Sequence, residues 1–133
     1  MKTTQKAFRA FYQNIGKIFY AIAAADSIVR DEELNTLKVV VKKEWLINNN
    51  FDTDIEAIII DTFNWLHHDN EYDSETCYNS FINYKNENEH EFTEQIKGLI
   101  LKTAGKIASS FSGENKSELI MLANLSIEFK KTR

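Results

Sequence analysis

Apolar side chains recur at spacings of three and four residues along most of this chain. The first such stripe consists of Phe8, Phe11, Tyr12, Ile15, Phe19 and Ile22. This spacing places apolar side chains on one face of an α-helix, so it predicts a first helix over residues 4–25. A second helix is predicted at about 31–47, where the stripe consists of Leu34, Leu37, Val41 and Trp45. Residues 48–50 are all Asn and are expected to end it, because Asn readily adopts turn conformations.

Two further helices are predicted in the middle of the chain. The third is predicted at about 53–67, after a start signal at Asp52 and Asp54. Its stripe consists of Ile55, Ile58, Ile59, Phe63 and Leu66. Residues 67–73 are polar and predict a loop, and Asp73 or Ser74 is a suitable N-cap for a fourth helix. That helix carries Cys77, Tyr78, Phe81 and Ile82. Residues 85–91 contain nothing to bury, so they predict a solvated helix end or a loop.

The last third of the chain predicts two more helices, separated by a turn at Ser112 and Gly113. The fifth helix carries Ile96, Leu99, Ile100, Thr103 and Ile107, and the last carries Leu119, Leu122, Leu125 and Phe129. Asn115 followed by Glu118 has the spacing of a capping box at the start of the last helix. No segment shows convincing strand-like alternation. We therefore expect one all-α domain over residues 1–133, a compact bundle of about six to seven helices.

The last two predicted helices repeat the first two at an offset of 85 residues. Two unrelated amphipathic helix pairs would also align their apolar stripes. At this offset, however, Ala23 also coincides with Ala108, and Glu33 coincides with Glu118. The match predicts an internal repeat of helix hairpins, near 5–47 and 93–131, that are related by approximate symmetry.

The composition agrees with long helices and limits the chemistry. The chain has no Pro and four Gly, which leaves helices uninterrupted. Cys77 is the single cysteine, so no intramolecular disulfide can form, and a reducing, cytoplasmic location is expected. The N-terminus lacks the apolar run of a signal peptide, and no stretch approaches the roughly 18 apolar residues of a membrane span.

Charge is distributed unevenly along the chain. Residues 51–95 contain twelve carboxylates and one cation, Lys85, whereas the rest contains fifteen cations and eight carboxylates. The simplest explanation is that these charges lie on helix faces that are exposed to solvent. Alternatively, the two signs form a dipole that orients a protein partner or a second copy of the chain.

The most informative segment is residues 21–34, which read AIAAADSIVRDEEL. It resembles the signature of the TerB-like family of tellurite-resistance proteins: a helix end of small residues, Ala-Asp-Gly, an apolar turn and a helix that opens with Glu. The resemblance implies a compact helical bundle with an internal hairpin repeat, a domain also found in some DnaJ-like co-chaperones. The chain departs from this pattern at Ser27, where the family usually has Gly. It departs again at Arg30, where a capping Asp or Ser is frequent.

The acids of this segment have two interpretations. Carboxylates in the first turn of a helix are stabilised by its N-terminal partial charge, so Asp26 and Glu33 can serve to cap and orient a tight turn. Alternatively, Asp26 and Glu33, together with Asp31 or Glu32, offer oxygen ligands to a divalent metal ion such as Ca²⁺ or Mg²⁺. The resemblance adds weight to this second interpretation, because TerB-like proteins have been thought to bind metal ions. A site that draws on both repeats is not expected, since Phe111 occupies the position equivalent to Asp26.

Residues 67–77 form a second polar cluster. Their alternating acids resemble the start of a calcium loop, but Ser74 and Ser80 stand where that loop needs Gly and Glu. His67 and His68 are adjacent and do not point at one site on a helix, so a solvated loop is expected here. Cys77 is expected to be a small core residue. Because no phosphate loop, hydrolase elbow or zinc-protease motif is present, we do not expect an enzyme.

The resemblance implies a non-enzymatic TerB-like helical protein with a role in tellurite resistance or stress response. Metal-ion binding is one way in which it would perform this role. The alternative is a protein-interaction or self-assembly module selected by its charge distribution, with a protein partner or a homodimer. Trp65 and Tyr72 are the first candidates for an apolar interface. Binding of nucleic acid is not expected, although seven lysines are candidates for a surface that binds anions: Lys17, Lys38, Lys42, Lys102, Lys106, Lys130 and Lys131.

Overall fold

A computed structural model describes residues 4–45, 54–69, 72–110 and 116–131, and within these ranges the chain is all-helical. Six α-helices follow one another: α1 (Gln5–Ala23), α2 (Asp31–Glu44), α3 (Ile55–Asp69), α4 (Ser74–Glu87), α5 (Glu94–Ala108) and α6 (Lys116–Lys130). A single 3₁₀ turn, Glu89–Glu91, joins α4 to α5. The all-α bundle expected from the sequence is confirmed. None of the helices in the described ranges is long and apolar enough to cross a membrane.

Helix α1 is the centre of the bundle. Its second half is buried almost completely, and it packs against α3, α4, α5 and α6. Helix α2 lies outside this group and packs mainly against α5 and α3. Side chains of α4 and α6 also meet, since the rings of Phe81 and Phe129 are 6.2 Å apart between centroids. Around α1 the helices therefore follow the order α3, α4, α6 and α5.

Gly16 allows α3 to lie directly on α1. A methyl group at this position would come within 2.7 Å of the carbonyl oxygen of Ile59, which is closer than atoms in contact can approach. Glycine is thus required by the close approach of two backbones. Helix α4 packs on the same central helix, but α3 and α4 pack less against each other than each does against α1. The two helices leave a groove between them, whose floor is α1.

The helix limits correct the sequence prediction at the ends of two helices. Helix α1 ends at Ala23, two residues before the predicted limit. Helix α3 continues to Asp69, whereas a loop was expected from residue 67. The reason is that His67, His68 and Asp69 remain exposed in the last turn, and an exposed polar side chain does not by itself end a helix. The cap predicted for the fourth helix is confirmed, because Asp73 Oδ1 accepts a 2.8 Å hydrogen bond from the backbone N–H of Thr76.

Two buried lysines fix the C-terminal end of α6. The expectation that residues 85–91 contain nothing to bury is wrong, since Lys85 is 1% exposed. Its Nζ donates to the backbone oxygen of Glu128 at 2.9 Å and pairs with Glu89 at 2.8 Å. Lys97 is also buried and donates to the backbone oxygen of Phe129 at 3.0 Å. Both ammonium groups satisfy carbonyls in the last turn of a helix, where the helix dipole is negative.

Candidate functional site

The acids singled out in the sequence belong to a polar cluster of Asp26, Arg30, Glu33 and Glu118, called here the Arg30 cluster. It lies where the turn after α1 meets the first turns of α2 and α6. Ser27 in this turn has a positive φ of 70°, a conformation that glycine adopts more easily than other residues. Asp26 Oδ1 accepts a 3.1 Å hydrogen bond from the N–H of Ile28 and so stabilises the turn.

Arg30 contacts each of the three carboxylates. Its backbone N–H donates to Glu33 Oε1 at 2.8 Å, which is the contact of a helix-capping glutamate. Its guanidinium lies 3.0 Å from Asp26 Oδ2 and 3.8 Å from Glu118 Oε2. The departure from the TerB-like pattern at Arg30 therefore places a cation among the acids of that segment.

Glu33 and Glu118 are buried and interact with each other. Both side chains are at most 1% exposed. Burial, a hydrogen bond to Glu33 and the negative charges of Glu33 and Asp26 raise the pKa of Glu118 to about 9, while Arg30 opposes the rise. With its pKa raised in this way, the Glu118 carboxyl can keep its proton and donate a hydrogen bond to Glu33. The two glutamates are equivalent in the proposed repeat, and α2 and α6 begin at equivalent positions, 31 and 116.

The structure gives the predicted metal ligands different surroundings. Asp26 and Glu33 lie in the Arg30 cluster, whereas Asp31 is exposed at the start of α2. Among the residues that the structure describes, no group of three or more His, Cys, Asp or Glu side chains is placed to hold a metal ion. The positive charge among these acids comes from Arg30. Binding of a divalent metal by Asp26, Glu33 and Asp31 remains a prediction.

A groove between α3 and α4 is the second candidate site. Three adjoining hollows of about 370, 300 and 630 Å³ share the side chain of Lys17 on their α1 floor. We call them together the α3–α4 groove, and its defining residues are Asn14, Lys17, Asp61, Trp65, Tyr72 and Ser80. The groove is open to solvent along its length, unlike the Arg30 cluster.

Two exposed aromatic side chains stand at the groove. Trp65 is 57% exposed on α3, and Tyr72, just before α4, is 44% exposed. Their rings lie 6.3 Å apart between centroids in a tilted arrangement. They contact each other and leave much of their apolar surface in water. Large aromatic side chains in such a position are typical of protein-binding surfaces.

The base of the groove is formed by a hydrogen-bonded lysine and a buried cysteine. Lys17 Nζ donates a 3.0 Å hydrogen bond to Ser80 Oγ and so connects α1 with α4. Cys77 beneath it is buried, which confirms the expected core position. Burial raises the pKa of its thiol above the ordinary value. A neutral thiol is a weak nucleophile, so Cys77 contributes packing here.

The walls of the groove are acidic. Within α3 and α4, Lys85 is the single Lys or Arg, and it is buried. The exposed charged side chains on and beside these helices include Asp61, Asp69, Asp73, Glu75 and Glu87. The backbone N–H of Thr76 lowers the pKa of Asp73 and keeps that carboxylate ionised. Of these carboxylates, Asp61 and Glu87 line the groove itself, and Asp73 and Glu75 line the adjoining hollow beside Tyr72.

The turn after α1 and the C-terminal end of α3 meet at one end of this groove. A hollow of about 580 Å³ is lined by Ala24 and Ser27 from the turn after α1, and by His67, His68 and Tyr72. The two histidine rings lie 5.8 Å apart. Sequence reasoning had no signal for this meeting, because the two segments are about forty residues apart and are joined through two helices.

Several of the lysines weighed for anionic surfaces have partners within the chain. Lys17 bonds to Ser80, Lys102 pairs with Glu44, and Lys131 pairs with Glu128 at 2.9 Å. The proximity of Lys102 lowers the pKa of Glu44. These contacts do not favour a single basic surface for nucleic acid.

Sequence reasoning identified part of the groove and missed the rest. Trp65 and Tyr72 were named as candidates because they are large and lie near the end of a helix. Asn14, Lys17 and Ser80 were not, because no spacing pattern connects residues on three helices. No family model, no curated protein and no solved structure matches this chain. The TerB-like resemblance, and the role in tellurite resistance or stress response that it implies, therefore remain predictions.

Proposed function

We propose that this protein is a non-catalytic helical interaction module that binds a basic amphipathic helix in the α3–α4 groove. The observation that carries the proposal is the exposed pair of Trp65 and Tyr72 at the edge of an open groove with acidic walls. Recognition of an apolar helix face by a groove is a recurring mode of peptide binding.

The position of the groove favours a helix as the occupant. Helix α1 is flanked by α3 and α4, which diverge above Asn14 and Lys17 and leave both only half-buried. Helices pack at axis separations of about 8–10 Å, so a further helix laid between α3 and α4 would complete the layer around α1. Its apolar face would cover Trp65 and Tyr72, whose burial is favourable.

The charge of the walls favours a basic occupant. The carboxylates of Asp61 and Glu87 line the groove, and Lys17 on its floor is already bonded to Ser80. Lysine or arginine at the borders of the bound helix would meet these carboxylates at the rim. Such pairs speed association and select the partner more than they add affinity.

The Arg30 cluster supports a structural role instead. Its charges are mutually paired, and two of its carboxylates are buried. The pathway that the module serves, tellurite resistance or another stress response, is the part of the proposal that rests on the TerB-like resemblance alone.

Titration with synthetic peptides tests this function. The probe is a fluorescently labelled peptide of the length of α6, with leucine at helical spacing and lysine on the remaining positions. Its counterpart carries glutamate in place of lysine. We expect the lysine peptide to bind at least about tenfold more tightly, as judged by fluorescence anisotropy, because the walls repel the glutamate peptide.

Substitutions locate the binding site. Trp65→Ala should weaken binding of the lysine peptide about tenfold or more, since large aromatic anchors dominate such interfaces. Val39→Ala is the matched control, because Val39 is an exposed apolar residue on α2, outside the groove. Equal affinity for the two peptides, or a Trp65→Ala variant that binds as well as the parent, would contradict the proposed function.

A further inference from the structure

We propose that the helix bound in the α3–α4 groove is α6 of a second copy of this chain, so that the protein assembles head to tail. The inference rests on the proposed function and names its partner. The observation behind it is that α6 carries the chemistry that the groove requires, on a face that stays exposed among the residues that the structure describes.

The exposed side of α6 is apolar along two turns. Leu119, Ile120 and Ile127 are 50%, 61% and 55% exposed, and Ala123 between them is also exposed. Their spacing of three, four and seven residues places them on one side of the helix. We call these four residues the outer face of α6. The opposite side, with Leu125 and Phe129, packs into the core.

Lysines border the outer face at both ends. Lys116 lies at the start of α6, and Lys130 and Lys131 lie at its end, all of them exposed. The carboxylates of α6 lie elsewhere, because Glu118 is buried and Glu128 is half-buried. Helix α6 is thus a basic amphipathic helix whose charge is opposite to that of the groove walls. The apolar residues would cover Trp65 and Tyr72, and the lysines would meet the carboxylates of α3 and α4.

The outer face is also presented in a fixed orientation. Buried Lys85 and Lys97 hold the last turn of α6 by its carbonyl oxygens, and Glu118 holds its first turn to the Arg30 cluster. A helix that is already folded and oriented loses less entropy on binding than a flexible peptide does. This helix therefore has an advantage over an unstructured peptide of the same composition.

The two surfaces cannot meet within one molecule. Helix α4 lies between them, since Ser74 Oγ is 3.5 Å from Met121 Sδ on the inner side of α6, while the groove lies on the other side of α4. A contact between groove and outer face therefore joins two copies through different surfaces. Such a heterologous contact repeats from copy to copy and gives open chains or closed rings.

Sedimentation velocity of the full chain tests the assembly. We expect the mean sedimentation coefficient to rise with protein concentration and to fall when NaCl is raised, because the charged part of the contact is screened beyond about 8 Å at physiological salt. Trp65→Glu should abolish assembly by damaging the groove. The double variant Ile120→Glu, Ile127→Glu should abolish it by damaging the outer face. Val39→Glu, the control on α2, should assemble as the parent does.

A mixture of the two defective variants is the sharpest form of the test. Each variant retains one intact surface, so equal amounts should form a complex of one copy of each and stop there. This outcome requires a heterologous contact, because a contact between two identical faces cannot be restored by mixing. All four single changes lie at exposed positions, and circular dichroism checks that each variant is folded.

Three results would overturn the inference. One is a monomer at every concentration, another is a Trp65→Glu variant that assembles like the parent, and the third is a mixture that remains monomeric. Failure here is distinct from failure of the proposed function. If the chain is monomeric while the groove still binds the lysine peptide, the groove receives a helix from another protein. If the lysine peptide also fails to bind, the proposed function fails with it.

Discussion

The Arg30 cluster and the α3–α4 groove differ in whether their side chains have interaction partners within the chain. In the cluster, Glu33 and Glu118 are buried, and the guanidinium of Arg30 lies among the carboxylates. In the groove, Trp65 and Tyr72 leave about half of their surface in water, beside carboxylates that face solvent. Charge is paired inside the chain at the first site and faces outward at the second.

This difference shows that a conspicuous sequence motif need not be the binding site. The acids in residues 21–34 stand out because they are close together in the chain. In the folded protein these acids stabilise a turn and the start of a helix. The groove combines residues from three helices and has no motif. A site whose polar groups already have partners within the chain stabilises the fold. A site whose apolar and charged groups face solvent is available for binding.

The largest expected effect is the loss of stability when the cluster is damaged. Glu33→Ala removes the acceptor for the backbone N–H of Arg30 and the partner of buried Glu118. The free energy of unfolding should fall by about 3 kcal/mol, as measured by urea denaturation, because buried polar groups lose their partners. Glu32→Ala, an exposed acid in the same turn of α2, is the control. Trp65→Ala should change stability by no more than about 0.5 kcal/mol. Equal losses for Glu33→Ala and Trp65→Ala would remove the distinction between the two sites.

The next effect is a dependence of stability on pH. The pKa of Glu118 is raised to about 9 in the folded chain from an ordinary value of 4.5. The folded state therefore keeps a proton that the unfolded state releases. This contribution to stability is complete below the ordinary pKa and is lost as pH rises towards the folded pKa.

Glu118→Gln tests the effect of this proton. The glutamine amide stays neutral at every pH and can still donate a hydrogen bond to Glu33. The variant should be more stable than the parent at pH 9 and should lose the decline between pH 5 and 9, because it has no carboxyl proton to release. Glu94→Gln, at a fully exposed glutamate, is the control and should keep the decline. A parent protein whose stability is level or rises over this range would refute the assignment.

A smaller effect is expected at Ser27, whose φ of 70° is unfavourable for a residue with a side chain. Ser27→Gly should raise the free energy of unfolding by up to about 1 kcal/mol. Ser109→Gly is the control, since Ser109 follows α5 with a φ of −97° and has no such strain to relieve. Thermal denaturation distinguishes the two variants. If both glycines lower stability equally, the turn holds no strain at Ser27.

The smallest effect concerns divalent metals. Because Arg30 already places positive charge among Asp26, Glu33 and Glu118, we expect no saturable heat when Ca²⁺, Mg²⁺, Mn²⁺ or Zn²⁺ is titrated into the protein. A saturable heat that disappears in the double variant Asp26→Asn, Glu33→Gln would establish the metal site and contradict a purely structural cluster. Heat that survives the double change would place the metal elsewhere.

The helices were predictable because each one keeps a regular apolar stripe. The start of α4 followed from a local signal, Asp73 as an N-cap. The environment of Lys85 was not predictable, since its acceptor is a backbone oxygen of Glu128, far away in the sequence. The groove was not predictable for a related reason. It arises because Gly16 draws α3 onto α1 while α4 diverges from α3, and helix divergence leaves no periodic pattern in the sequence.

The central claim is that binding occurs in the groove and not at the Arg30 cluster. The most direct measurement is a set of ¹H–¹⁵N correlation spectra of the full chain during titration with the lysine peptide. The account predicts that the indole signal of Trp65 and the amides of Lys17, Tyr72 and Ser80 shift with a common affinity, while the amides of Arg30 and Glu33 stay in place. Shifts centred on Arg30 and Glu33, or no shift at any concentration, would contradict it.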